Sequence, residues 1–344
     1  MIDSLTSMAV ALLDECPKGS KIVITPHLRA DGDAIGSGLG LRAALLSLGY
    51  DVRLLLDEEV TERLLFVPEV ECAEVFDPGK SASEEIDILF LVDCHEASRL
   101  GERAVLWDQA KDHFVLDHHR YEQAVQGNAW IDPSCSSMGE MIYYFIRELE
   151  KHSGEKILNR NIAIQLAVAI YSDTGGLRFS NSTRDTFLAM AALQEAGVVL
   201  DRISEPLFST SSLGRFRGRG FAFQAAEWEV DGRLAWTMMR EADCLACGAD
   251  DDDLGGIAND LREVQGTDVA IFFRLTEENI LRLNIRSSED FNSASFAQSL
   301  GGGGHFRAAG AEIQLSENES VDERIRAILD QAAEILKATP HVLD

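Results

Sequence analysis

At 344 residues the chain is too long for one small core, and two domains are the natural expectation. A hydrophobic content of 46% excludes a disordered chain, and the longest apolar stretch, "IAIQLAVAIY", is about half the length of a membrane span. With 58 acidic against 31 basic residues the net charge is −27, which speaks against a protein that tracks long DNA or RNA along a basic stripe and leaves room for a small anionic substrate.

In chain order, Ile2, Leu5, Met8 and Leu12 recur at helical spacing, so the N-terminus reads as a docked amphipathic helix and not a signal peptide. A cytoplasmic protein with reduced thiols at its six cysteines follows. "KIVIT" (21–25) is a strand, 34–50 a helix closed near Gly49, and "DVRLLLD" (51–57) a strand. "TERLLFVP" is a short helix ended by Pro68, and "IDILFLVDC" (86–94) is a strand covered on both faces. "HFVLDHH" (113–119) is another strand, and 136–154 and 159–173 have helical length and period. This alternation predicts an α/β fold, a doubly wound, mostly parallel sheet.

After about residue 185 the pattern changes. The stretch 184–208 reads as a helix pair, running into the polar, Gly-rich "STSSLGRFRGRG". From 219 strands come first, with Asp231-Gly232 as a hairpin turn, a helix in "GGIANDLREV", and two strands about Glu277-Glu278-Asn279. "SASFAQSL" is a short helix, then come Gly301 to Gly304 and a terminal helix. The expected division is 1–190 as the first domain, 191–218 as connector, and 219–344 as a smaller α+β domain across a cleft. Cys244-Leu-Ala-Cys247 lacks the second pair that a zinc site wants.

Chemistry gathers at segment ends. In open parallel sheets ligands bind beyond the carboxyl ends of the strands. There the chain places His27, Asp31 and Asp33, then Asp93, then Asp117, His118 and His119, and at a helix end Asp173. Any one of these is an ordinary turn or cap residue; four segments ending alike are not. Clustered carboxylates must take up protons or hold cations. Carboxylate and imidazole without thiolate suit Mn²⁺, Mg²⁺ or Fe²⁺, and six ligands suffice for two ions with a bridging carboxylate. The helix opening at Ala34–Ser37 is expected to aim free N–H groups at the site.

"HLRADGDAIGS", "LVDCHEASRLG", "LDHH" and "YSDTGG", in this order, resemble the four motifs of the DHH phosphoesterase superfamily. "RSS" (286–288) with "GGGGHFRAAG" (301–310) resembles the DHH-associated domain, and the likeness is to the bacterial nanoRNase and 3′-phosphoadenosine-5′-phosphate (pAp) phosphatase type. The resemblance implies His27, Asp31 and Asp93 on one ion, and Asp33, Asp93, His118 and Asp173 on the other. It implies that Asp93, Asp117, His118 and His119 are catalytic, with Asp117 and His119 as outer ligand-supporting or phosphate-contacting groups. Arg286, Gly302, Gly303, Gly304 and His305 are implied to grip the substrate. Gly32 is expected to permit a tight loop between Asp31 and Asp33; Arg99 is expected to pair with a neighbour, and His95 to be a surface histidine.

The expected function is two-metal activation of water, Mn²⁺ first among the ions, to cut short RNA to nucleoside 5′-monophosphates and pAp to AMP. A cyclic or linear dinucleotide (cyclic di-AMP, pApA) phosphodiesterase is the alternative within the class. A nucleotide-binding module that has lost catalysis is the alternative outside it. Expected partners are short oligoribonucleotides and small nucleotides, with no long-DNA track and no membrane. The sequence is also compatible with a homodimer.

Overall fold

The computed structural model describes residues 4–81, 85–119, 127–209, 211–251, 253–316 and 318–338. The expected apolar contact of Ile2 therefore lies outside the described residues. The chain divides into two compact units, 1–210 and 211–344.

The first unit runs α1 (Leu5–Glu15), β1 (Lys21–Thr25), α2 (Gly32–Ser47), β2 (Asp51–Leu56), β3 (Ala73–Val75), α3 (Pro78–Ser81), β4 (Ile86–Val92), α4 (Val105–Gln109), β5 (Ala110–Asp117), β6 (Asn128–Ile131), α5 (Met138–Ser153), α6 (Arg160–Asp173), α7 (Arg184–Glu195) and α8 (Asp201–Ser204). Its sheet has the order β3-β2-β1-β4-β5-β6, and every pairing is parallel. The doubly wound reading is thus correct. Strands β3 and β6 were not expected; both are short edge strands without a buried, alternating face.

The continuous apolar runs have the predicted cause. Ile88, Phe90 and Val92 of β4 join one core with α2, α5 and α6, while Leu89 and Leu91 join a second layer with Leu100 and Leu106. Helix α6 is buried from Ile162 to Tyr171 except for Ile164, which explains why its sequence lacks a polar stripe. Where the sequence predicts a short helix at 61–68 there is one 3₁₀ turn, Glu62–Leu64.

The second unit runs α9 (Leu213–Gln224), β7 (Glu227–Glu229), β8 (Leu234–Arg240), α10 (Glu241–Cys247), α11 (Ile257–Arg262), β9 (Val269–Leu275), β10 (Ile280–Ser287), α12 (Ser293–Ser299), β11 (Gly303–His305), β12 (Ala308–Gln314) and α13 (Val321–Ala338). Its sheet has the order β11-β12-β10-β9-β8-β7, antiparallel except for the parallel β8–β9 pair. Val230, Asp231 and Gly232 all take positive φ in the β7–β8 turn, so the expected hairpin forms around Asp231-Gly232 with a four-residue loop. Among the described residues no helix is long and apolar enough to cross a membrane.

Candidate metal centre

The strand order of the first sheet reverses between β1 and β4, and the crevice beyond such a switch point is where doubly wound folds bind ligands. "HLRADGD" leaves β1 there, Asp93 leaves β4, and Asp117 ends β5, followed by His118 and His119. Asp93 has φ 59°, a left-handed backbone that a non-glycine residue adopts at a cost.

Close helix packing brings in the rest. A β-carbon on Gly36 would lie 2.4 Å from the Gln165 carbonyl oxygen, and one on Gly139 2.5 Å from the Ala169 β-carbon. Only glycine lets α2 and α5 approach α6 this closely, and Asp173 is the last residue of α6. Gly32 has the same role and not the expected one. It is already helical, and a β-carbon there would lie 2.0 Å from Ser172 Oγ. The helix also opens earlier than expected. Asp31 is its N-cap, and Asp31 Oδ1 accepts from the N–H groups of Asp33 and Ala34, both at 3.0 Å. Those N–H groups are therefore not free for a phosphate.

The six expected ligands fall into overlapping groups. His27, Asp31 and Asp93 present donor atoms within 4.8 Å of one another; so do Asp33, His118 and Asp173, and so do Asp93, His118 and His119. His27 Nε2 is 3.4 Å from Asp93 Oδ2. His118 Nε2 is 3.3 Å from Asp93 Oδ1, 3.3 Å from Asp173 Oδ2 and 3.5 Å from Asp33 Oδ2. The contacts of His118 are ion-pair approaches, not aligned hydrogen bonds: neither Asp93 Oδ1 nor His118 Nε2 has a hydrogen-bond partner. His27 Nδ1 donates to the Leu28 carbonyl at 2.7 Å, which turns Nε2 toward Asp93. Asp33 is wholly buried and accepts from the Met138 and Gly139 N–H groups at the start of α5, at 2.6 and 2.9 Å.

Electrostatics show a surplus of negative charge. Burial, with the charges of Asp173, Asp93 and Asp31, lifts the Asp33 carboxyl well above its ordinary range. Burial and the nearby Asp31 and Asp93 carboxylates also raise Asp173, to about 6, against the pull of His118. Burial opposes charge on Asp93 as well, but the close His118 and His27 rings outweigh it and hold that carboxyl low. In return His118 rises to about 9 against its own burial, through Asp93, Asp173 and Asp117. Crowded carboxylates, two unpartnered buried donor atoms and an all-oxygen-and-imidazole set fit divalent cations such as Mn²⁺ or Mg²⁺.

Asp117 and His95 stand beside this group. Asp117 Oδ1 accepts from the His119 N–H at 3.0 Å and from His119 Nδ1 at 2.8 Å, and Asp117 Oδ2 contacts His95 Nδ1. His95 is only 12% exposed, so the surface reading is wrong. Arg99 forms no ion pair with a described residue; its carbonyl accepts the Leu28 N–H at 3.0 Å.

In the second unit, Arg286 of β10 and His305 of β11 both lie opposite Ala308 of β12, so three strands bring them into line. The glycine run is half strand. Gly303 and Gly304 pair with Gly310 and Ala309, and a β-carbon on Gly302 would meet the Gly310 carbonyl oxygen at 2.1 Å. Close strand packing therefore accounts for Gly302 and Gly304, while Gly303 has open space. Cys244 and Cys247 are buried free thiols of α10.

Residues 21–170 match the DHH family, N-terminal domain, and residues 243–338 match the DHHA1 domain. The chain is 31% identical to the bifunctional oligoribonuclease and PAP phosphatase NrnA of Thermus thermophilus over 307 residues, covering 88% of this chain and 87% of that one. The chain belongs to the DHH family. The Bacillus subtilis protein of the same name is 25% identical, covering 90% and 93% of the two chains. A crystal structure of an exopolyphosphatase-related protein from Bacteroides fragilis shares the fold, with TM-score 0.84, 23% identity and 92% of each chain covered.

This DHH-family centre also rests on Arg103, which no motif singles out. Arg103 is buried, and its guanidinium donates to Thr25 Oγ1 at 2.8 Å, the Leu55 carbonyl at 2.9 Å and the His27 carbonyl at 3.1 Å, with Asp57 at 3.3 Å. It ties the end of β1 to β2 just where His27 leaves the sheet. Nothing in "GERAVL" signals this, because the partners, two backbone carbonyls, a hydroxyl and the Asp57 carboxylate, are distant in sequence.

Proposed function

We propose that this chain is a metal-dependent phosphoesterase that cuts short oligoribonucleotides to nucleoside 5′-monophosphates and converts pAp to AMP. The observation that carries the reading is the convergence of donors from four segments, β1–α2, β4, β5 and α6, at the switch point of the sheet. Similarity over most of both chains to proteins named oligoribonuclease and PAP phosphatase supports the substrate class.

His27, Asp31 and Asp93 would hold one divalent ion, and Asp33, Asp93, His118 and Asp173 the other, with Asp93 shared. Two such ions, Mn²⁺ in this reading, supply Lewis-acid charge and make water nucleophilic near neutral pH. The chain's own residues do the positioning. Asp31 uses one oxygen as helix cap and keeps the other for the site. Asp33 is held by the N-terminus of α5, and His27 is oriented by its own Nδ1 hydrogen bond. Asp117 orients His119, which meets the phosphate. In the second unit Arg286, His305 and the Gly302–Gly304 run bind the substrate's phosphate or base.

The test is hydrolysis with Mn²⁺ of pAp, RNA of about two to ten nucleotides, cyclic di-AMP and single-stranded DNA, with Asp93→Ala as control. AMP from pAp and mononucleotides from short RNA, both lost in the control, are expected. Preferential cleavage of cyclic di-AMP, or full activity of Asp93→Ala, would overturn the reading.

A further inference from the structure

The buried Asp117 carboxylate lies between two imidazoles. Its Oδ1 accepts from His119 Nδ1 at 2.8 Å and from the His119 N–H at 3.0 Å, and its Oδ2 is in hydrogen-bond contact with His95 Nδ1. His95 enters from the loop after β4, His119 from the end of β5, and these strands are neighbours in the sheet. A carboxylate held at one oxygen can still turn about its own axis; held at both it cannot. The His95 ring is itself largely buried, only 12% exposed. His119 Nδ1 is also 3.4 Å from Asp93 Oδ1, so a free Asp117 would let that ring choose between two carboxylates.

We infer that His95 is a positioning residue for the reaction: through Asp117 it keeps His119 as the Nδ1–H tautomer and so fixes where that ring stands against the substrate. The substrate part of this inference rests on the proposed phosphoesterase reading; the tautomer part does not. The arrangement follows a general rule that the hydrogen bond at one imidazole nitrogen decides what the other can do. Outer partners of this kind are worth about 10–100-fold in activity.

Asparagine and glutamine separate the alternatives, because the Asn amide nitrogen falls where Nδ1 sits and the Gln amide nitrogen where Nε2 sits. With saturating Mn²⁺ and pAp, His95→Ala and His95→Gln are expected to lower kcat about 10-fold or more with KM within about 2-fold, and His95→Asn to recover most of the rate. Long-range ¹H–¹⁵N NMR of the protein without added metal is expected to show His119 as the Nδ1–H tautomer in wild type and His95→Asn, and as a mixture in His95→Gln. If His95→Gln equals or exceeds His95→Asn in rate, or if the His119 signals are the same in all three, His95 does not position His119. The NMR comparison decides even if pAp proves not to be the substrate, and the Asn–Gln pair decides even if the alanine variant fails to fold.

Discussion

Gly36 of α2 packs directly on the carbonyl oxygen of Gln165 in α6, 2.4 Å from where a β-carbon would stand. That contact sets the distance between the helix that carries Asp33 in its first turn and the helix that ends with Asp173. Backbone cannot swing aside as a side-chain tip can. Gly36→Ala should therefore cost about 1–3 kcal/mol of stability, as overpacking does. It should also weaken Mn²⁺ binding, because Asp33 and Asp173 move apart. Thermal unfolding and a Mn²⁺ titration check the two effects; an unchanged melting temperature would mean that α2 and α6 are not in contact here.

Arg103 makes a second support. Arg103→Met keeps the volume but leaves Thr25, Leu55, His27 and Asp57 without their common donor. Breaking a buried charge pair of this kind costs about 3 kcal/mol. Arg103→Lys should not rescue, since one ammonium cannot reach four acceptors that a planar fork spans. Urea unfolding of the three proteins tests this, and equal stability of the lysine variant would refute it.

The pH dependence follows from the raised groups. His118 stands at about 9 in the folded protein, so its pairing stabilises fully below its ordinary value of 6.5 and is lost as pH rises through 9. Asp173, raised to about 6, acts in the same direction at lower pH: its contribution fades as pH rises through 6. Asp93 is held low and so stays ionised throughout this window. A bound cation requires the deprotonated forms of His118 and Asp173, and binding releases their protons. The gap in melting temperature between Mn²⁺-loaded and metal-stripped protein should therefore widen from pH 6 to pH 9. A gap that is constant or narrows across that range would show that these groups do not bind the ion.

Arg286 is largely buried, its guanidinium donates to the Ile285 carbonyl at 3.0 Å, and it forms no ion pair with a described residue. Burial pushes its pKa down, and no carboxylate among the described residues offsets that. If it waits for a phosphate, Arg286→Ala should raise KM for pAp about 10–100-fold, the worth of a hydrogen bond to a charged group, while the protein keeps its Mn²⁺ and its stability. A variant that loses stability and keeps KM would make Arg286 a structural residue.

The strands and their parallel order were legible because β1, β4 and β5 are continuous apolar runs that only a doubly covered sheet explains. The candidate metal group was legible because His27, Asp93 and His118 each follow such a run, where side-chain chemistry is not needed for packing, while Asp173 ends helix α6. Glycines were harder. Gly32 and Gly36 look like loop or phosphate-binding residues in sequence, yet they serve helix contacts with partners some 130 residues away. The Gly301–Gly304 run reads as a loop, but half of it is an edge strand, a pairing that depends on the small residues of β12. His95 was illegible for the same reason: its partner, Asp117, arrives from another strand.

Metal dependence is the property on which the proposed chemistry turns. The most direct measurement is AMP release from pAp by protein first stripped of metal and then titrated with Mn²⁺. Stripped protein should release none, and activity should return and level off as two ions bind per chain. Undiminished release from the stripped protein would contradict the account.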